Sequence, residues 1–363
     1  MLRTKVLVIG GGPAGSAAAR FLAREGVETI LVERNLSFFK PCGGGIPSTV
    51  FDELGIPKKA IRKEIKKVKI TSPKGVILEI GLKGGSIAMV KRGEFDSILR
   101  DEAKNHGAQI IEAEFRHLEE AGRQIIAQVN INGKEERIRT DYLVAADGVN
   151  SRVRFALGLK PVASLYTISE RIGDIDTDSC EFWFGASHAP RFYSWVFPEA
   201  ESVSVGTGSF EAGALRGLLQ RFYERRKLDT KHATRMYRIP LWKGEVYNKD
   251  NLLFVGDAAG HVMPLTYEGI YHAMKAGEFA ARAITAGRPS DYKKLWKQRF
   301  YSRFLIMKKL CDYFLKDDNS VEKLVAIYRR HEIQDVTMRL WLEKSSGKGN
   351  LISFMNFFRR ILG

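Results

Sequence analysis

Four short stretches of this sequence combine residue types at spacings that chemistry uses. The first is Gly10-x-Gly12-x-x-Gly15, followed by an acid, Glu33, 23 residues after Gly10. Glycine at the first position permits a tight turn. At the second it lets a pyrophosphate approach the backbone, and at the third it lets a helix lie close to a strand. The second stretch is Cys42, set between Pro41 and the run Gly43–Gly45. A thiol there is either a buried loop side chain or, given the room glycines leave around sulfur, a group facing a ligand. The third is Tyr193-x-Trp195-x-Phe197-Pro198. In a strand its three aromatic rings share one face, as a sheet core or as a wall for an apolar ligand. The fourth is a pair of acid–glycine corners, Asp147–Gly148 and Gly256–Asp257, each closing an apolar run.

These residues need elements to hold them. Lys5–Ile9 is a short β-branched, apolar run suited to a buried parallel strand. Ser16–Arg24 then reads as a helix with Ala17, Phe21 and Leu22 on one face, and Glu28–Val32 as a second strand ending at Glu33. Strand, glycines, helix, strand and acid arrive in order within one βαβ length. That context predicts a dinucleotide site with its phosphates at the helix N-terminus and its ribose near Glu33. Further on, residues 68–80 predict a hairpin around Ser72–Gly75, and Arg92 opens a helix reaching about His106. Residues 108–140 read as strands with a turn at Asn132–Gly133. From about Phe155 to Asp250 short aromatic strands predominate, with one basic helix over 214–227. Asn251–Val255 returns to a buried strand, a helix covers 268–286, and the remainder reads as helical. The expected fold is α/β. A Rossmann-like domain over 1–155 and 251–290 carries an inserted antiparallel-sheet domain over 156–250, with 68–92 open to joining the inserted side. A helical segment, 291–363, follows.

At 363 residues, 44% hydrophobic and 28% charged, the chain has the composition of a soluble globular protein with a large core. No apolar run is long enough to span a membrane, and no secretory signal precedes the first strand. Cys42, Cys180 and Cys311 are far apart and show no metal-ligand spacing, so no metal is expected. They fit a reduced, cytoplasmic chain. The 58 Lys+Arg against 42 Asp+Glu give a formal charge of +16. Nucleic acid, anionic lipid or phosphorylated ligands would each suit that excess, and so would solvated helix faces. No RNP-like sequence, zinc finger or arginine-rich tail is present, so nucleic acid is not expected as a partner. Residues 350–363 place Leu351, Phe354, Met355, Phe358, Ile361 and Leu362 at helical spacing. Such a segment either packs on the core or lies in the headgroup layer of a membrane.

Taken together, the glycine motif and the two later acid–glycine corners resemble the flavoproteins of the p-hydroxybenzoate hydroxylase fold. That resemblance implies FAD, which is longer than one βαβ unit can hold. It assigns Pro13, Ala14 and Arg34 to the cofactor beside the glycines and Glu33, with Asp147 and Gly256 at the later corners. It also implies that Asp257 bonds the ribityl hydroxyls and that Arg92 reaches the ribityl–pyrophosphate region. Gly269 and Ile270 would turn backbone N–H groups to the flavin's pyrimidine edge. Two stretches narrow the family. Pro41–Gly45 resembles the cysteine–glycine segment of the geranylgeranyl reductases, and Tyr193–Pro198 fits their Y-x-W-x-F-P motif, best seen in the archaeal and bacterial type. The likeness covers roughly residues 1–280. It departs at Tyr267, where the family has glycine.

The family implies an FAD-dependent reductase of isoprenoid C=C bonds, with geranylgeranyl chains on a lipid, quinone, pigment or diphosphate as substrates. Cys42, Tyr193 and Trp195 would act at the reacting bond, with Cys42, Gly43 and Gly44 also beside the cofactor. Tyr193, Trp195, Phe197, Pro198 and Tyr267 would hold the substrate. Electrons would come from NAD(P)H or from ferredoxin or another small carrier protein, because no second GxGxxG marks a separate nicotinamide domain. A long lipid substrate implies peripheral work at an anionic membrane surface. The alternatives are a flavin-dependent monooxygenase on the same scaffold and a non-catalytic nucleotide- or nucleic-acid-binding protein.

Overall fold

The computed structural model describes residues 1–173, 175, 177–229, 233–243 and 247–342. The chain divides into two compact units. The first comprises Met1–Phe39, Gly93–Ser164 and Ile239–Phe304. The second comprises the described residues of Lys40–Arg92, Leu165–Arg238 and 305–342.

An eight-stranded sheet organises the first unit. Five of its strands run parallel in the order Leu252–Phe254, Lys134–Ala145, Leu2–Ile9, Thr29–Glu33, Gln109–Glu112. Val6, Leu7 and Val8 are wholly buried, which is what a β-branched run without polar alternation requires. Burying each such side chain contributes about 1.5–3 kcal/mol. Helix Pro13–Arg24 packs with helix Ile270–Thr285, and small residues make that approach possible. A Cβ on Gly277 would lie 2.8 Å from the backbone nitrogen of Ala18. The first helix begins at Pro13, three residues before the expected Ser16. Proline lacks the N–H that is orphaned at this position anyway, and its φ is already helical. The second helix begins at Ile270, and the turn expected at Asn132–Gly133 joins the antiparallel strands Gln124–Ile131 and Lys134–Ala145.

In the second unit a seven-stranded sheet runs Arg235–Pro240, Ser164–Ile172, Val203–Ser209, Ala189–Pro198, Cys180–Gly185, Lys67–Thr71, Ile77–Gly81. Its last two strands are the hairpin expected around Ser72–Gly75. The sheet is not purely antiparallel, because Lys67–Thr71 pairs in parallel with Cys180–Gly185. Helix Leu215–Arg226 covers one face, burying Leu215, Leu219, Phe222 and Tyr223 against Ile168, Val196 and Val205. A three-stranded sheet of Gly45–Pro47, Ile87–Met89 and Lys63–Ile65 stands separately. Helices Asp318–Tyr328 and His331–Leu342 complete the described part of this unit. Among the described residues no helix is long and apolar enough to cross a membrane. The amphipathic segment expected over 350–363 lies outside the described residues.

His261 sits fully inside the first unit, stacked on Trp296 with ring centroids 4.5 Å apart. Burial pulls its pKa down to about 3. An unfolded histidine titrates near 6.5, so the unfolded chain binds the extra proton first as pH falls. The stability that the neutral ring contributes is complete above about pH 6.5 and declines below it, by about 1.4 kcal/mol per pH unit. Urea unfolding between pH 6.5 and 4 should therefore show a steeper loss for the native chain than for His261→Phe. Equal slopes would mean that the ring is not held neutral.

Candidate active site

In the first unit the glycine loop takes the shape its spacing foretold. Gly10 has φ +105°, and a Cβ there would lie 2.6 Å from the carbonyl carbon of Ala146. A Cβ on Gly15 would fall on the carbonyl oxygen of Gly10, far inside van der Waals contact. Gly12 is the opposite case: nothing lies within 4 Å of where its Cβ would be. The helix then starts with Pro13, and no side chain caps it. The N–H groups of Ala14 and Gly15 have no acceptor inside the helix, so the open side at Gly12 faces unpaired donors and a positive dipole end. Such an arrangement suits an anion.

Side chains brace this loop. Glu33 accepts the Gly11 N–H at 2.7 Å and the Asn35 N–H at 3.1 Å. A carboxylate has about four acceptor positions, so Glu33 keeps capacity for ribose hydroxyls. Arg100 donates to the carbonyl of Gly11 at 3.1 Å and to that of Leu36 at 2.8 Å, clamping the loop to the chain after Glu33. Sequence reading missed Arg100, for it lies 89 residues from its partner on an otherwise ordinary helix, Arg92–Asn105. Arg34 lies over the ring of Phe38, 6.0 Å from its centroid.

The three corners converge because their strands are neighbours. Ile9 pairs with Ala145, and Ala145 with Phe254, so the chain leaves all three strands at the same edge. A Cβ on Gly10 would lie 2.9 Å from Cα of Asp147, and one on Gly256 2.8 Å from Cβ of Ala14. Asp147 accepts the Val153 N–H at 3.0 Å, and burial pushes its carboxyl up from the ordinary range. Asp257 stands at the start of the long helix: its Oδ1 is 3.7 Å from where a Cβ on Gly269 would be. Ile270 is the first residue of that helix. Tyr267 has φ +54°, in the left-handed region where glycine is unstrained. The backbone keeps the turn, and here a phenol occupies it.

In the second unit, the Cys42 loop and the aromatic strand meet. Cys42 Sγ accepts the Gly44 N–H at 3.3 Å and Nη1 of Arg92 at 3.3 Å. Arg92, expected at the ribityl–pyrophosphate region, is nearly fully buried with that bond to sulfur. A Cβ on Gly43 would lie 2.8 Å from Cε2 of Phe197, so the missing side chain seats the loop on that ring. Gly44, at φ +71°, packs as closely on the carbonyl of Val90. Phe182 meets Tyr193 and Phe197 edge-on, with centroids 5.1 and 5.0 Å away. Trp195 lies across the next strand, its indole N–H donating to Ser204 Oγ at 3.1 Å. Pro198, buried, ends the strand. Two glycines that sequence reading passed over make room for this wall. A Cβ on Gly206 would lie 2.6 Å from Cη2 of Trp195, and one on Gly208 2.7 Å from the ring of Phe192. Their signal was glycine at alternate positions in Val203–Ser209, which serves one face of a strand.

Known proteins match this chain over most of its length. The family model described as "FAD binding domain" matches residues 3–277. The chain is 31% identical over 395 residues to the chloroplastic geranylgeranyl diphosphate reductase of Nicotiana tabacum, covering 99% of this chain and 85% of that one. It is 31% identical over 328 residues to the digeranylgeranylglycerophospholipid reductase of Methanocaldococcus jannaschii, covering 82% and 83%. Among solved structures, a geranylgeranyl bacteriochlorophyll reductase-like protein from Thermoplasma acidophilum superposes with a TM-score of 0.81 at 26% identity. That match covers 97% of this chain and 96% of the other.

The glycine loop gives a paired expectation. Gly12→Val should fold normally and purify without flavin, because its side chain enters open space that a pyrophosphate needs. Gly15→Val should lose folding stability itself, since its side chain meets the Gly10 carbonyl. A Gly12→Val protein with stoichiometric flavin would refute this placement of the phosphates.

Proposed function

The chain belongs to the FAD-binding domain family, within its geranylgeranyl reductases, and we propose that it saturates C=C bonds of isoprenoid chains with electrons from FAD. The observation that carries this reading is the seating of the Cys42 loop on Phe197 through Gly43. It joins the two stretches that distinguish these reductases from other flavoproteins of the same fold. The glycine loop, Glu33, Asp257 and the start of helix Ile270–Thr285 fit the cofactor. Gly12 leaves the space and Ala14 and Gly15 supply the N–H groups that a pyrophosphate takes.

FAD, when bound and reduced, supplies the hydride for one alkene carbon. The chain's own residues supply the rest. An unactivated alkene accepts hydride poorly, so a proton must reach the other carbon as cationic character develops there. Tyr193, Trp195 and Phe197 offer aromatic faces that stabilise such charge and exclude water. Cys42 is the proposed proton donor. Its sulfur lone pairs receive the Arg92 and Gly44 N–H groups, which leaves the S–H proton to be given outward. Tyr267 is proposed to border the substrate. The electron donor is proposed to be NAD(P)H or a small carrier such as ferredoxin. A substrate of this class partitions into bilayers, and the +16 charge favours an anionic membrane surface as the place of work.

Anaerobic turnover of a panel of prenyl substrates, read by mass spectrometry, should give products heavier by whole numbers of hydrogen pairs. Oxygen-dependent hydroxylated products would favour a monooxygenase instead. Cys42→Ala should keep FAD and fold while slowing reduction or changing how many bonds are saturated. Trp195→Ala should weaken binding of the prenyl chain by about 2 kcal/mol, near 30-fold in affinity. Unchanged rates and products in Cys42→Ala would reduce that cysteine to a loop thiol.

A further inference from the structure

The aromatic strand has a second face, and it is polar where the surrounding core is not. His188, Ser194 and Thr207 are all wholly buried there. Arg225 Nη1 lies 3.0 Å from His188 Nε2. A guanidinium can only donate, so Nε2 must be the accepting nitrogen and Nδ1 must carry the proton. Nδ1–H therefore donates to Ser194 Oγ at 2.7 Å. Ser194 donates to Thr207 Oγ1 at 2.9 Å, and Thr207 donates to the His188 carbonyl at 2.6 Å. Every hydrogen in this ring has one direction, and no member is left unpaired. Burial and the charge of Arg225 keep the imidazole neutral, with its pKa pulled down to about 3. Arg225 also donates to the carbonyls of Ser72, at 2.6 Å, and Pro73, at 2.9 Å, which ties the ring to the hairpin of Lys67–Thr71 and Ile77–Gly81.

Ser194 and Thr207 sit one step along from the cross-strand pair Trp195–Gly206. That pair tolerates no slip. The indole fills the space a Cβ at 206 would need, and its N–H reaches Ser204. Strand pairing by backbone alone specifies register weakly, and a shift of one residue would turn every side chain to the other face.

We infer that His188, Ser194 and Thr207 are positioning residues, a register lock that holds the Trp195 indole over Gly206 and so fixes the wall against which the prenyl chain lies. The second clause rests on the function proposed above; the first does not. Thr207→Val keeps the shape but removes one donor and one acceptor, whereas Thr207→Ser keeps both. Two readouts separate the clauses. Hydrogen exchange at the Trp195 indole N–H, followed by NMR with a Trp195→Phe control for assignment, reports the lock without turnover. Exchange should quicken at least tenfold in Thr207→Val and remain near native in Thr207→Ser. KM for a geranylgeranyl substrate should rise about tenfold in Thr207→Val, with more partly saturated product, and be restored in Thr207→Ser. If Thr207→Val does not fold with FAD, Ser194→Ala replaces it with the same expectations. Native exchange in the folded variant, or serine behaving like valine, overturns the lock. Faster exchange with unchanged KM and products overturns its role toward the substrate. A native protein that reduces no prenyl chain would overturn the functional reading, and the exchange measurement would still judge the lock.

Discussion

A side chain at Gly15 would collide with the carbonyl oxygen of Gly10, and one at Gly10 would meet the backbone after Ala146. The first unit depends on these contacts between bare backbones. Three parallel strands leave their sheet at one edge, and the first helix must begin within reach of all three exits. Any Cβ in those gaps would push the helix start away from the strand ends. The glycines therefore do two different things. Gly10 and Gly15 close distances inside the protein, while Gly12 keeps a distance open outside it. Motif spacing cannot distinguish these roles, but the surroundings of each missing side chain do.

The second unit uses the same device on side chains instead of backbone. Gly43 yields its place to the ring of Phe197, and Gly206 yields to the indole of Trp195. In each case glycine admits an aromatic group and defines where it sits. An aromatic wall assembled this way has little freedom, because its rings also meet one another edge-on, as Phe182 does with Tyr193 and Phe197.

Much of this was legible in the chain because the signals are local. The βαβ opening, the hairpin turn at Asn132–Gly133 and the helix over 215–226 each follow from residues a few positions apart. What was not legible is pairing at long range. Nothing in 67–71 announces that it will lie parallel to 180–185, since either strand could pair with any apolar neighbour. Arg100 and Arg225 were equally invisible, because a cation that donates to carbonyls far away in sequence looks like any solvated one. Arg92 was expected beside the cofactor, and the bond from its guanidinium to Cys42 Sγ was not legible, since it depends on how the start of helix Arg92–Asn105 and the Cys42 loop fold together. Tyr267 was visible as an oddity, and its positive φ is a conformation that glycine adopts without strain.

A hydrocarbon chain gives an enzyme no hydrogen bond with which to orient it. Specificity for such a substrate must come from shape, and a shape made of side chains is only as well defined as the backbone beneath it. The alternation of a β-strand offers a solution, since consecutive residues face opposite ways. Tyr193, Trp195 and Phe197 present apolar rings on one face, while Ser194 between them carries hydrogen bonds on the other. The directional interactions the substrate cannot accept are thus placed within the protein, one residue away, where burial makes each of them costly to break. On the proposed function, the polar face of this strand does for an isoprenoid what a ligand-binding arginine or serine does for a polar substrate: it sets position, through the wall instead of through the ligand.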